Sequence, residues 1–118
     1  MINITRHDTN QRLSHAVVYN GTVYLSGQVA TDRTLDVKGQ TREVLQKIDE
    51  LLKKAGSDSS RILYTQIWLK NIARDFNAMN AVWEDWVTDG HSPARATVQA
   101  DLATANLLVE IAVTAAVG

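Results

Sequence analysis

The pattern of apolar and polar side chains begins with two short β segments. Residues 16–19 and 22–26 are rich in β-branched and aromatic side chains. Between them lies Asn20-Gly21, a dipeptide that tolerates positive φ at both central positions of a two-residue turn. The pattern therefore predicts a β-hairpin at this place.

Two later segments have the spacing of amphipathic helices. Between 37 and 55, apolar residues recur every three or four positions, and Gly56 follows as a stop. The second segment runs from Asp75 to Val87 and is followed by a Gly and a Pro, which both terminate helices. Its apolar side consists of Phe76, Met79, Val82, Trp83 and Trp86.

The other apolar segments, 61–70, 95–101 and 107–115, are predicted to be strands. We expect the last two to pair antiparallel around a short loop at 103–106. Alternation along 61–70 gives two predicted faces: Leu63, Thr65, Ile67 and Leu69 on one, and Ile62, Tyr64, Gln66, Trp68 and Lys70 on the other.

The predicted order, β-β-α-β-α-β-β, is that of an α+β fold in a single domain over 1–118. Two helices can cover one face of a mixed sheet. Tyr64 and Trp68 then place bulky rings on the second face, which the helices cannot also cover. We therefore expect an oligomer formed through that face, in preference to a monomer with partly exposed rings.

The composition excludes several classes of function. The 12 Lys and Arg side chains are balanced by 13 Asp and Glu, and no basic cluster is present to neutralise phosphates, which disfavours nucleic-acid binding. The absence of Cys excludes disulfides, thiol nucleophiles and thiolate metal sites. No run approaches the ~20 apolar residues needed to cross a bilayer, and the polar start is unlike a signal peptide. We expect a cytoplasmic protein.

The motifs of metal and phosphate sites are missing. His7, His15 and His91 lie in separate segments without the short spacings that build a zinc site. Ser26-Gly27-Gln28 has one glycine and lacks the lysine of a phosphate-binding loop. We expect ordinary surface or loop histidines and no metal.

Two charged residues occur in unexpected surroundings. Glu110 interrupts the apolar segment 107–113, where a carboxylate is costly unless it is hydrogen-bonded or near a cation. It is either functional or a charge on an edge strand that discourages aggregation. Arg95 opens a strand of small residues, where its planar guanidinium could bind a carboxylate with two hydrogen bonds. The alternative for Arg95 is a surface ion pair.

The register of the last two strands decides whether these residues can meet. If the strands pair around a symmetric turn, Arg95 and Glu110 lie on opposite faces of the sheet. They could then share a cleft only through an asymmetric turn or a bulge, or across a subunit interface.

Five short blocks cover nearly the whole chain in this order: Ser26–Ala30, Leu51–Gly56, Asp75–Asn80, Pro93–Val98 and Val109–Ile111. Together they resemble the RidA (YjgF) family of reactive imine deaminases. The resemblance implies a chorismate-mutase-like fold assembled as a homotrimer, with ligand clefts between subunits. It also implies hydrolysis of 2-imino acids, or their 2-enamine tautomers, to 2-oxo acids and ammonia without a metal or organic cofactor.

The resemblance also implies roles for individual residues. Arg95 would hold the substrate carboxylate, and Glu110 would orient or deprotonate the attacking water. Gly27 would bring main-chain groups close to the ligand, where a Cβ would obstruct it. Asn80 matches a helix Asn of the family that contacts the ligand or supports neighbouring loops.

Two departures indicate a divergent branch. Thr97 stands where many members have Cys; it can hydrogen-bond to a substrate but cannot do thiol chemistry. Leu13 stands where many members have Tyr and offers no phenol. Besides a deaminase using Arg95 and Glu110, the sequence allows a non-catalytic binder of small carboxylates that needs Arg95 alone. Cleavage of RNA, a label some members bear, is disfavoured by the near-neutral charge.

Overall fold

Residues 3–118, the part of the chain that the computed structural model describes, contain six strands, two α-helices and a short 3-10 helix at Ser59–Arg61. In chain order the strands and α-helices are β1 (Thr5–Thr9), β2 (Ser14–Tyr19), β3 (Thr22–Leu25), α1 (Val37–Lys54), β4 (Ile62–Leu69), α2 (Ile72–Trp86), β5 (Ala94–Gln99) and β6 (Val109–Ala116). The sheet order is β1-β2-β3-β6-β4-β5, and only the β4–β5 pair is parallel. The predicted fold class, a mixed sheet with two helices on one face, is confirmed.

The first hairpin forms as predicted, and one strand is added before it. Asn20 and Gly21 have φ values of 52° and 78° and connect β2 to β3. β1 is absent from the predicted order. Its side chains are polar and mostly exposed at the edge of the sheet, so it lacks the apolar alternation that marks a half-buried strand.

Side-chain caps set where both helices begin. The Asp36 carboxylate accepts a hydrogen bond from Gly39 N at 2.8 Å, and α1 begins at the predicted residue. α2 begins at Ile72 instead of the predicted Asp75, because the Asn71 side chain accepts from Arg74 N at 3.1 Å. The cap therefore lies one turn earlier than the apolar pattern indicated.

The predicted antiparallel pairing of the last two strands is wrong. β5 pairs in parallel with β4, and β6 lies between β3 and β4. A parallel pair needs a crossover, and α2 provides it. The chain then crosses β4 through a loop tied to α1 by Gln40, which donates to Asn106 O at 3.0 Å and accepts from Leu108 N at 2.9 Å.

The predicted faces of β4 are wrong at its start, because a β-bulge shifts the alternation of side chains there. Ile62 pairs with Ala115 and Tyr64 with Thr114, which leaves Leu63 as an extra residue. Ile62 is consequently buried in the core, whereas the Leu63 side chain is 54% exposed. We call the side of the sheet packed on α1 and α2 the helix face and the other side the open face. The helix face carries most of the core: Val23, Leu25, Ile67, Leu69, Val109, Ile111 and Val113.

Candidate functional site

Glu110 lies on the open face, directly beside Gly27. In the register of β6 and β4 it pairs with Trp68, whose side chain is on the open face. Past the end of β3, Gln28 exchanges two backbone hydrogen bonds with Ile111, which brings Gly27 against Glu110. A Cβ on Gly27 would overlap Glu110 Oε2 and approach Cδ to 2.9 Å. A side chain at position 27 would therefore displace the Glu110 carboxylate.

The Glu110 carboxyl group is partly removed from water. Burial raises its pKa above the usual glutamate value, and no hydrogen bond from residues 3–118 opposes this effect. It lines a cavity of about 230 Å³ together with Trp68 and residues 100–103. The edge-strand interpretation is wrong, because β6 is flanked on both sides by β3 and β4.

Arg95 lies on the helix face, against α2. It pairs with the fully buried Thr65 of β4, and its Cζ lies 5.3 Å from the ring centroid of Trp83. Burial lowers the pKa of Arg95, and the nearby Glu84 carboxylate partly offsets this. The surface-ion-pair interpretation is wrong for residues 3–118, because no carboxylate lies within 4.0 Å of the guanidinium.

Thr97 and Asn80 lie on the same side of the sheet as Arg95. Thr97 is two residues further along β5, opposite Ile67, and its Oγ1 is buried without a hydrogen-bond partner among the described residues. The Oγ1 of Thr65 is unpartnered in the same way. Asn80 precedes Trp83 by three positions on α2, a spacing that places both on one side of the helix.

The candidate residues thus form two groups on opposite faces. The Arg95 group comprises Arg95, Thr97, Asn80 and Trp83, and the Glu110 group comprises Glu110, Gly27 and Trp68. The strand positions opposite Arg95 and Glu110 are Thr65 and Trp68, an odd number of residues apart on β4. Side chains at such positions point to opposite faces. Within one chain the two groups cannot line a common cleft.

Sequence reasoning assigned Trp83 only to the apolar side of α2 and Trp68 only to the second face of the sheet. Nothing local marks Trp83 as a neighbour of Arg95, because the two meet only through the parallel pairing of β4 and β5. Leu13, which the sequence resemblance assigned to the position of a family Tyr, lies in the turn between β1 and β2 and is 44% exposed.

The histidines have ordinary structural surroundings. His15 Nδ1 is 3.4 Å from both Ser26 Oγ and Gln28 Nε2, and His91 Nδ1 is 2.8 Å from Asp89 O. Among residues 3–118, no cluster of three or more His, Asp or Glu side chains could hold a metal ion. Within the same range, no helix is both long and apolar enough to span a membrane.

These features define a small α+β domain that carries candidate ligand-binding residues on both faces of a six-stranded mixed sheet. Residues 3–117 match the family model described as Endoribonuclease L-PSP, and the chain belongs to this family, the YjgF/RidA family. The sequence resemblance is therefore confirmed.

Relatives match over nearly the whole chain. A RutC family protein of Haemophilus ducreyi is 45% identical over 114 residues, covering 97% of each chain. The RutC family protein YoaB of Escherichia coli is 43% identical over 114 residues, covering 97% of this chain and 98% of its own. A solved structure of a YjgF family member from Neisseria meningitidis is 40% identical with a TM-score of 0.95, covering 98% of this chain and 96% of that one.

Proposed function

We propose that the protein hydrolyses 2-imino acids, or their 2-enamine tautomers, to 2-oxo acids and ammonia. The reaction takes place in clefts between the subunits of a homotrimer. Each cleft contains the Arg95 group of one copy and the Glu110 group of the next. The observation that carries the proposal is the placement of the two groups on opposite faces of one chain.

Arg95 binds the substrate carboxylate. Its guanidinium is packed on an aromatic ring and makes no hydrogen bond to another side chain of residues 3–118, so its N–H groups are available to a ligand. A planar guanidinium can donate two parallel hydrogen bonds to one carboxylate. The Thr97 hydroxyl and Asn80 lie on the same side and complete the substrate-binding group.

Glu110 activates the attacking water. Its raised pKa makes it a stronger base than an exposed glutamate, which suits proton transfer near neutral pH. The water oxygen bonds to the protonated imine carbon while its proton passes to Glu110. Glu110 then returns the proton to the nitrogen. As the carbonyl forms and the C–N bond breaks, ammonia leaves and the hydroxyl proton is released.

Gly27 keeps the Glu110 side of the cleft open. Because no Cβ is present, the Glu110 carboxylate lies against the main chain at position 27 and lines the cavity beside Trp68, where a neighbouring copy would approach it. Subunits in a closed ring contact one another through two different surfaces. A ring of three copies would repeat the same two-group cleft three times.

Mixing two inactive variants tests the site between copies. Arg95→Gln and Glu110→Gln should each lose about a hundredfold or more of 2-iminopropanoate hydrolysis. After equal amounts of the two are unfolded together and refolded, the whole preparation should recover about a quarter of the parental sites, since one cleft in four receives both intact groups. Each variant refolded alone serves as the control. No recovery in mixed trimers would contradict a cleft shared between copies, and an inactive parent would contradict the reaction itself.

The second candidate is a non-catalytic binder of small carboxylates. It is favoured by the availability of Arg95 within a single chain, and it gives Glu110 no role. Calorimetry with pyruvate combined with the hydrolysis assay separates the two functions. Glu110→Gln retains pyruvate binding under both, but only under the first does the parent hydrolyse 2-iminopropanoate and the variant lose that activity. RNA cleavage, which the family model's description names, lacks support from the net charge of −1.

A further inference from the structure

The Trp83 ring and the Arg95 guanidinium form a cation–π contact between α2 and β5. The ring centroid is 5.3 Å from Arg95 Cζ, and the indole is only 6% exposed. Such a contact fixes the plane of a guanidinium without using any of its N–H donors. It differs in this respect from an ion pair, which would occupy the same donors that a substrate needs.

The indole of Trp83 packs in turn against a second aromatic ring of α2. Its centroid lies 5.4 Å from that of Trp86, with the rings tilted by 48°. Trp86 Nε1 in turn donates a hydrogen bond to Asp49 Oδ2 of α1 at 2.9 Å. The aromatic surface below Arg95 is therefore anchored to both helices.

A competing carboxylate lies next to Trp83 in the chain. The Glu84 carboxylate raises the pKa of Arg95 by favouring its charged form, yet it makes no ion pair with it within 4.0 Å. An arginine side chain has many rotamers and would readily turn toward a nearby carboxylate if nothing held it elsewhere. Contact with the indole opposes such a turn.

We propose that Trp83 is a positioning residue. It keeps the N–H donors of the Arg95 guanidinium directed at the substrate carboxylate and away from Glu84. The inference rests on the proposed role of Arg95 as the carboxylate clamp. Trp83 does not touch the reacting atoms, and it acts on binding through Arg95. Without the ring, the Glu84 carboxylate should form an ion pair with the guanidinium and so compete with the substrate carboxylate.

Trp83→Leu, which keeps an apolar side chain, tests this role. Pyruvate binding should weaken by about tenfold, with a matching rise in KM and kcat within about twofold, whereas Trp83→Phe should keep most of the affinity. Adding Glu84→Gln to Trp83→Leu should restore binding, because the competing carboxylate is gone. Adding Asp85→Asn, the same charge change one residue later, should not. Unchanged binding in Trp83→Leu, or equal rescue by Asp85→Asn, would overturn the proposal.

A measurement on the parent protein does not depend on how Trp83→Leu folds. The Arg95 Hε resonance, identified as the one lost in Arg95→Lys, should be shifted upfield by the indole and stay shifted with pyruvate bound. An unshifted resonance would overturn the proposal. Arg95→Lys also separates the proposed role of Arg95 from that of Trp83. If this variant binds pyruvate as well as the parent does, the carboxylate-binding role of Arg95 is wrong. If it binds weakly while Trp83→Leu binds normally, only the role of Trp83 is wrong.

Discussion

At the scale of single residues, the Glu110 carboxyl group links the stability of the fold to pH. Burial raises its pKa in the folded chain, so the folded state favours the neutral form. The resulting stability is present at low pH and is lost as pH rises through the raised pKa. Within the single chain, ionisation of Glu110 therefore lowers the free energy of unfolding.

Replacing Glu110 tests this linkage. The comparison is made between Arg95→Gln and Arg95→Gln/Glu110→Gln, so that no guanidinium of another copy can stabilise the ionised form. Urea unfolding from about pH 4 to about pH 8 should show a decline in the free energy of unfolding for the first protein only. The double variant should be at least as stable at neutral pH. A parallel decline in both proteins would assign the effect to another group.

Gly27 is required by its neighbour rather than by its own backbone. Gly27→Ala should fold, because the group that its Cβ overlaps is the end of a flexible side chain, but it should displace the carboxylate and abolish most hydrolysis. To check the displacement, the cost of Gly27→Ala in free energy of unfolding is measured in the parent and in Glu110→Ala, which lacks the overlapping atoms. In that background, Gly27→Ala should cost almost no stability, and equal costs in both backgrounds would show that the two residues do not interact.

At the scale of elements, Gln40 connects α1 to the loop that leads into β6. It is fully buried, donates to Leu35 O and Asn106 O, and accepts from Leu108 N. Gln40→Leu leaves these backbone groups unpaired and should lower the free energy of unfolding by at least about 2 kcal/mol. Gln46→Leu, on the exposed side of the same helix, should change it by less than about 0.5 kcal/mol. Urea unfolding measures both, and similar small losses would mean that water replaces the Gln40 contacts.

At the scale of the whole molecule, the open face is the surface available for assembly. Tyr24 and Tyr64 on it are 49% and 42% exposed. If it is the trimer contact, light scattering at micromolar concentration should give about three times the chain mass of 13.0 kDa. Ala112→Arg, at the centre of the open face, should lower the mass to that of one chain, whereas Gln46→Arg on α1 should not. A parental mass of one chain would contradict both the trimer and the cleft between copies.

The sequence by itself determined the local elements. Asn20-Gly21 specified the first turn, and apolar spacing specified both helices, because these signals involve residues that are close along the chain. The alternation also showed that Glu110 and Arg95 stood in unusual surroundings. The cap that starts α2 at Asn71 and the polar edge strand β1 were missed, since neither changes the apolar pattern.

Only the tertiary structure decided which strands are neighbours and what each candidate residue contacts. The insertion of β6 between β3 and β4 depends on long-range packing, and it overturned the pairing expected from chain order. That placement brought Glu110 beside Gly27, while the parallel β5 brought Arg95 onto Trp83. A period of two along a strand shows that side chains alternate between faces. Which face is covered, and by which residues, follows from the assembled sheet.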